Sequence, residues 1–88
     1  MTLKELESYT GPVIFSASWC GPCFTLKRQL KDKNIEAEII TVDEDDDGMA
    51  MAALHKVKTV PTLVVLDNGN TVKVVNGGNE ILLELSKI

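Results

Sequence analysis

The stretch Val13-Ile14-Phe15-Ser16-Ala17-Ser18-Trp19-Cys20-Gly21-Pro22-Cys23 decides the fold and most of the chemistry. Its first five residues are a continuous run of apolar and small side chains, the pattern of a strand covered on both faces. The run delivers the chain to two thiols separated by two residues. From Cys20 onward Cys23, Leu26 and Leu30 recur at helical spacing, while Lys27, Arg28, Lys31 and Asp32 take the other face. Cys20 therefore falls in the first turn of a helix, where unpaired backbone N–H groups and the positive end of the dipole stabilise a thiolate. A thiolate attacks disulfides far better than a thiol. The expectation is a dithiol that forms, breaks and passes on a disulfide, with Cys20 the exposed nucleophile and Cys23, one turn deeper, the buried resolving thiol. Gly21 permits close approach of a partner backbone, and Pro22 at an early helical position needs no N–H and stiffens the turn.

Outward from this stretch, Thr2-Leu3-Lys4-Glu5 reads as a capping box opening a short helix that presents Leu3 and Leu6 to a core and ends near Thr10-Gly11-Pro12. Asn34 closes the cysteine helix. The β-rich run Glu36 to Val42 is then a second strand, and strand, helix and strand make a right-handed unit with parallel strands. Asp43 to Gly48 is an acidic connection into a helix with the expected apolar stripe Met49, Ala50, Ala53, Leu54 and Val57. Its acids read as a solvated cap, since they lack the glycine and glutamate spacing of a calcium loop. Thr62 to Leu66 and Thr71 to Val75 are two strands of a hairpin signalled by Asn68-Gly69. After Asn76-Gly77-Gly78, Asn79 is expected to cap a closing helix with Ile81, Leu82, Leu85 and Ile88 on one face.

Composition narrows the function. The 88 residues read as one domain over 1–88, and a hydrophobic share of 44% supports a modest core. A formal charge of -4 with no basic cluster argues against nucleic acid, which needs a Lys/Arg stripe. No apolar run approaches a membrane span and the first ten residues do not read as a signal peptide, so no membrane is expected and the chain is placed in the cytoplasm. In that reducing compartment a lone cysteine pair is catalytic or metal-binding rather than a staple. A bridge over so short a loop stabilises by only about 2 kcal/mol. The metal reading fails for want of two further ligands, because His55 is the only histidine and falls on a different helix. No metal and no bound cofactor are expected.

At these residues the chain resembles the thioredoxin family. Trp19-Cys20-Gly21-Pro22-Cys23 is similar to that family's active-site motif, and Val60-Pro61-Thr62 to its cis-proline loop. The Asn68-Gly69 turn and Gly77 also fall where the family has a turn and an active-site glycine. The resemblance implies an α/β thioredoxin-like fold: a four-stranded mixed sheet flanked by helices on both faces, without the family's usual first strand. It implies catalysis by Cys20 and Cys23, a cis Pro61 packed beside them, and substrate binding by Trp19, Gly21, Pro22, Val60, Pro61 and Gly77. The Val60 backbone would pair with an extended substrate segment. Phe24 adds exposed docking surface. Two departures stand out: the family's buried aspartate falls on Ile14, and its helix-kinking proline falls on Arg28, which predicts a straighter helix.

The implied activity is a general cytosolic protein-disulfide reductase, a monomer serving cell redox homeostasis and electron transport. Its reducing equivalents come from NADPH through a thioredoxin reductase, and its substrates are disulfide-containing proteins, with ribonucleotide reductase among the candidates. Two alternatives stand beside it. One is a glutaredoxin-like enzyme recharged by glutathione, towards which Thr59-Val60-Pro61 and Gly77-Gly78-Asn79-Glu80 lean. The other is a protein-binding accessory subunit that uses the same surface without catalysis.

Overall fold

The computed structural model describes residues 2–87. Its elements in chain order are α1 (Leu3–Leu6), β1 (Gly11–Ser16), α2 (Gly21–Asp32), β2 (Glu38–Thr41), α3 (Gly48–Leu54), β3 (Thr62–Asp67), β4 (Asn70–Asn76) and α4 (Gly78–Ser86). The strands pair in the order β2-β1-β3-β4. β1 and β2 are parallel, with Val13 opposite Glu38 and Ser16 opposite Thr41, and β3 is antiparallel to both β1 and β4. A parallel pair needs a crossover, which α2 supplies, whereas β3 and β4 need only a tight turn. Asn68 and Gly69 make that turn with φ of 51° and 82°, the positive values a type I′ hairpin requires. Gly69 is also confined by its neighbours. A Cβ there would lie 2.6 Å from the carbonyl carbon of Glu7, and the Gly69 N–H donates to the Tyr9 carbonyl at 2.9 Å.

Alternation along β1 sends Val13 and Phe15 to one face and Ile14 to the other. Val13, Phe15, Val64 and Leu66 meet Leu6, Ile40, Met51 and Ala52 on the side of α1 and α3. On the opposite side Ile14 and Leu63 meet Leu26 and Leu30 of α2 and Ile81 and Leu85 of α4. Helices therefore cover both faces of a mixed four-stranded sheet, as expected. Each fully buried large side chain in these clusters is worth about 1.5–3 kcal/mol relative to exposure.

Several boundaries and one helix face differ from expectation. The capping box is present, with Glu5 N–H donating to Thr2 Oγ1 at 3.3 Å and Thr2 N–H to Glu5 Oε1 at 3.1 Å, but α1 stops at Leu6 rather than near Thr10. β2 begins at Glu38 rather than Glu36. By contrast α2 runs unbroken through Arg28 and is closed ahead of Asn34, as expected, with Asn34 taking a φ of 55°. The cap of α4 is Gly77, with Asn79 already inside the first turn. Ile88, the last member of the expected α4 stripe, lies outside the described residues, while Ile81 and Leu85 are buried as expected.

The face of α3 is a correction. Met49, Ala50, Ala53 and Leu54 are exposed, and the buried positions are Gly48, Met51 and Ala52. Gly48 is the physical reason: a Cβ on it would stand 2.8 Å from the Val42 carbonyl oxygen and 2.9 Å from the Val42 Cα. The helix is pressed against the chain leaving β2 at its first residue. Residues one turn on from that contact, at i+3 and i+4, then face the sheet.

Candidate functional site

The site forms where β1 hands the chain to α2. Cys20 is the N-cap of α2, with extended backbone (φ -93°, ψ 108°), and its Sγ accepts the Cys23 N–H at 3.3 Å. Cys20 and Cys23 form a disulfide with a Cα–Cα separation of 5.3 Å. A sulfur held by the first-turn amides at the positive end of a helix is favoured as an anion once the bridge opens. Gly21 and Pro22 follow as the first helical residues, and the space where a Gly21 side chain would stand is open for at least 4 Å.

The expected contrast between an exposed Cys20 and a buried Cys23 is corrected. Cys20 is 4% exposed and Cys23 1%, both packed with Ala17, Val42 and Val60. The covering groups explain it: the segment ahead of β3 closes over the bridge and leaves the Val60 carbonyl oxygen 3.8 Å from Cys20 Sγ. The Val60–Pro61 peptide bond is cis, as the resemblance implies. The Pro61 carbonyl accepts the Gly77 N–H at 3.2 Å, which brings the start of α4 to the same place. Gly77 has a φ of +91°, and a Cβ on it would meet nothing within 4 Å, so conformation rather than space demands glycine there. Behind this loop the Thr62 hydroxyl donates to the Thr59 carbonyl at 2.6 Å and lies 3.0 Å from Asn76 Oδ1. The fold thus gathers Cys20, Cys23, Val60, Pro61 and Gly77, and a Cβ on Gly78, the first residue of α4, would stand 3.9 Å from the Pro22 carbonyl oxygen.

Trp19 stands apart from the core at 74% exposure, and Phe24 is 58% exposed beneath the Lys27 ammonium, 5.7 Å from its ring centre. Trp19 and Val60 line one groove of about 310 Å³ together with Val42, Asp43, Met49 and Lys58. Met49, expected in the core, contributes its exposed side chain to this groove because of the rotation of α3. A larger hollow of about 600 Å³, bounded by Tyr9, Leu30 and Ile35 to Ile39, lies at the other end of α2 and contains neither cysteine.

Two residues of the site were not singled out from the sequence. Asp43 accepts the Ser18 N–H at 3.0 Å and the Ser18 hydroxyl through its other oxygen, so it fixes the loop that leads into Trp19 and Cys20. Those hydrogen bonds, from the hydroxyl first and the amide second, hold its carboxyl below the usual value of 3.8. The signal was available in the pairing, since continuing the Ser16–Thr41 register by two residues sets Ser18 beside Asp43. Lys58 is the other, a cation on the groove wall two residues before Val60. His55 is not near the cysteines: its Nδ1 lies 3.0 Å from Thr71 Oγ1, its ring packs on Phe15, and burial lowers its pKa from 6.5. Among the described residues no three His, Cys, Asp or Glu side chains gather as metal ligands, and no helix is long and apolar enough to cross a membrane.

Comparison with known proteins follows the same geometry. Residues 13–72 match the family model described as glutaredoxin. The chain is 39% identical over 75 residues to a thioredoxin of Gallus gallus, an overlap of 82% of this chain and 70% of that protein. A thioredoxin of Staphylococcus epidermidis is 35% identical over 78 residues, covering 84% of this chain and 74% of the relative. Among solved structures, a mutant thioredoxin from Halobacterium salinarum NRC-1 superposes with a TM-score of 0.74 at 30% identity, covering all of this chain and 83% of the other.

Proposed function

We propose, from the premise that this chain belongs to the thioredoxin family and is a thiol-disulfide oxidoreductase, that it is a general protein-disulfide reductase recharged by NADPH through a thioredoxin reductase. The observation that carries this reading is the open, mostly apolar groove of Trp19, Val42, Met49 and Val60 beside the Cys20–Cys23 bridge. Such a groove suits an extended protein segment. Trp19 is the platform, Gly21 and Gly77 add no side chain to the cover over Cys20, Pro22 stiffens the turn, and the backbone beside Val60 and Pro61 offers main-chain hydrogen bonds.

The chemistry needs only the two sulfurs. The Cys20 thiolate attacks one sulfur of the substrate disulfide, forming a mixed disulfide and expelling the other substrate sulfur as a thiolate. Cys23, deprotonated in turn, attacks Cys20 Sγ, closes the bridge and releases the second substrate thiolate. The substrate gains two electrons and the protein loses two, which the reductase returns. The two-cysteine inventory fits work in the reducing cytosol, as a monomer with disulfide-bonded proteins as substrates.

A second reading, recharging by glutathione, is favoured by Lys58 and by the glutaredoxin family match. A cation on the groove wall can hold a carboxylate of that peptide. Asp43 on the same wall opposes it, and the apolar share of the groove keeps the protein partner ahead.

The order of attack is tested by trapping. Cys23→Ser should accumulate a stable mixed disulfide with a protein substrate, and Cys20→Ser should not. Trapping by the Cys20 variant alone would reverse the assignment.

A further inference from the structure

The resolving step requires Cys23 to give up its proton, yet Cys23 is 1% exposed and no carboxylate faces it from β1, where Ile14 packs among Leu26, Leu30 and Leu63. One polar group is left over in this region. Ser16 is fully buried, and its Oγ is the buried side-chain polar atom without a hydrogen-bond partner among the described residues. Native proteins rarely leave such a group unused.

Strand geometry says where Ser16 faces. Side chains two apart on a strand share a face, so Ser16 lies on the face of Ile14, the face covered by α2. Because β1 and β2 are parallel, α2 must run back along β1. Ile14 packs with Leu26 and Leu30; moving forward along β1 to Ser16 corresponds to moving back one turn along α2, from Leu26 to Cys23.

We propose that the Ser16 hydroxyl turns to the Cys23 sulfur when the bridge opens and stabilises the resolving thiolate by donating a hydrogen bond to it. This rests on the dithiol chemistry above. In the step, Cys23 loses its proton to solvent, its electron pair forms the bond to Cys20 Sγ, and the bond from Cys20 to the substrate sulfur breaks. The departing sulfur takes a proton from solvent. In the disulfide, Cys23 carries no negative charge, which accounts for an unpartnered hydroxyl there. The charged groups on the surrounding elements are Lys27, Arg28, Lys31 and Asp32 on the same helix, Glu38 on β2, Asp67 on β3, Asp43 and Lys58 on the flanking loops, and Glu80 and Glu84 on α4. None is buried; Asp43 is held by Ser18, and Glu84 pairs with Lys73 at 2.7 Å.

The test isolates Cys23 in a Cys20→Ala background and follows its thiolate absorbance against pH, with and without Ser16→Ala. The expected result is a titration midpoint about one unit higher without the hydroxyl, roughly tenfold less thiolate at a given pH below it. The melting temperature of the oxidised protein, with both cysteines retained, should not fall on Ser16→Ala, because the substitution removes a buried polar group that has no partner in the oxidised fold. An unchanged midpoint would overturn the proposal, as would a shift accompanied by a lower melting temperature, which would mark a structural role. The titration needs no substrate or reductase. A failed trapping experiment with an intact midpoint shift would sink the reductase reading and leave Ser16 in its role.

Discussion

Ile14→Asp probes the face of the sheet on which resolution takes place. Ile14 is 1% exposed and surrounded by Leu26, Leu30, Leu63, Ile81 and Leu85, with no cation among them. Removing the buried aliphatic side chain costs about 2–3 kcal/mol. The new carboxyl then has to stay protonated in the folded state while it ionises freely, near 3.9, in the unfolded state. Unfolding therefore releases a proton, and stability falls by about 1.4 kcal/mol for each pH unit above ~3.9 until the folded-state pKa is passed. Between about pH 5 and pH 7 the variant should lose a further ~2.7 kcal/mol relative to wild type. Ile14→Asn, equally polar but not ionisable, should be destabilised without that slope. The measurement is urea denaturation of all three proteins across this range. An Ile14→Asp variant whose deficit does not grow with pH, or which matches wild type at the alkaline end, would show that position 14 reaches water and that the β1 face has been assigned wrongly.

Gly69→Ala should destabilise by about 2–4 kcal/mol, since it combines a positive φ with overlap on the Glu7 backbone and strains the N–H bond to Tyr9; thermal or chemical melting reads it. Asp43→Ala should slow attack by Cys20 with little change in fold, because it frees the Ser18 loop, and amide hydrogen exchange at Ser18 should rise. The sign of the wild-type pH effect follows from the lowered Asp43 pKa. The clamp is fully present above the ordinary value of 3.8 and is lost as pH falls through the lower folded-state value, so the protection of the Ser18 amide relative to its intrinsic exchange rate at the same pH should stay flat through neutrality and fall only in acid.

The core of the site was legible because its signals are local and chemically specific. Two cysteines at a helix start, Val60-Pro61 and Asn68-Gly69 each declare themselves within a few residues, and the unbroken apolar run from Val13 to Ala17 announced a strand covered on both faces. The misses share a different cause. The rotation of α3 is set by a backbone contact between Gly48 and Val42, and an apolar count over Met49 to Val57 carries no trace of it. Asp43 looked like one acid in a run of them. Its role comes from the parallel register that brings it to Ser18, a relation between segments rather than a property of either. Cys20 is covered by the Val60 segment from across the fold, so its exposure was not readable from its place on α2. Ser16, small and ordinary in a strand, acquires meaning only once burial and the absence of a partner are known.

On the proposed reading this dithiol is recharged by a protein reductase and delivers its electrons to protein disulfides. The decisive assay is NADPH oxidation with insulin as the disulfide substrate, run with thioredoxin reductase and, separately, with glutathione and its reductase. Efficient turnover with thioredoxin reductase and poor turnover with glutathione is the expected outcome. Turnover with glutathione and none with thioredoxin reductase would refute it and move the assignment to the glutaredoxin-like reading that Lys58 supports.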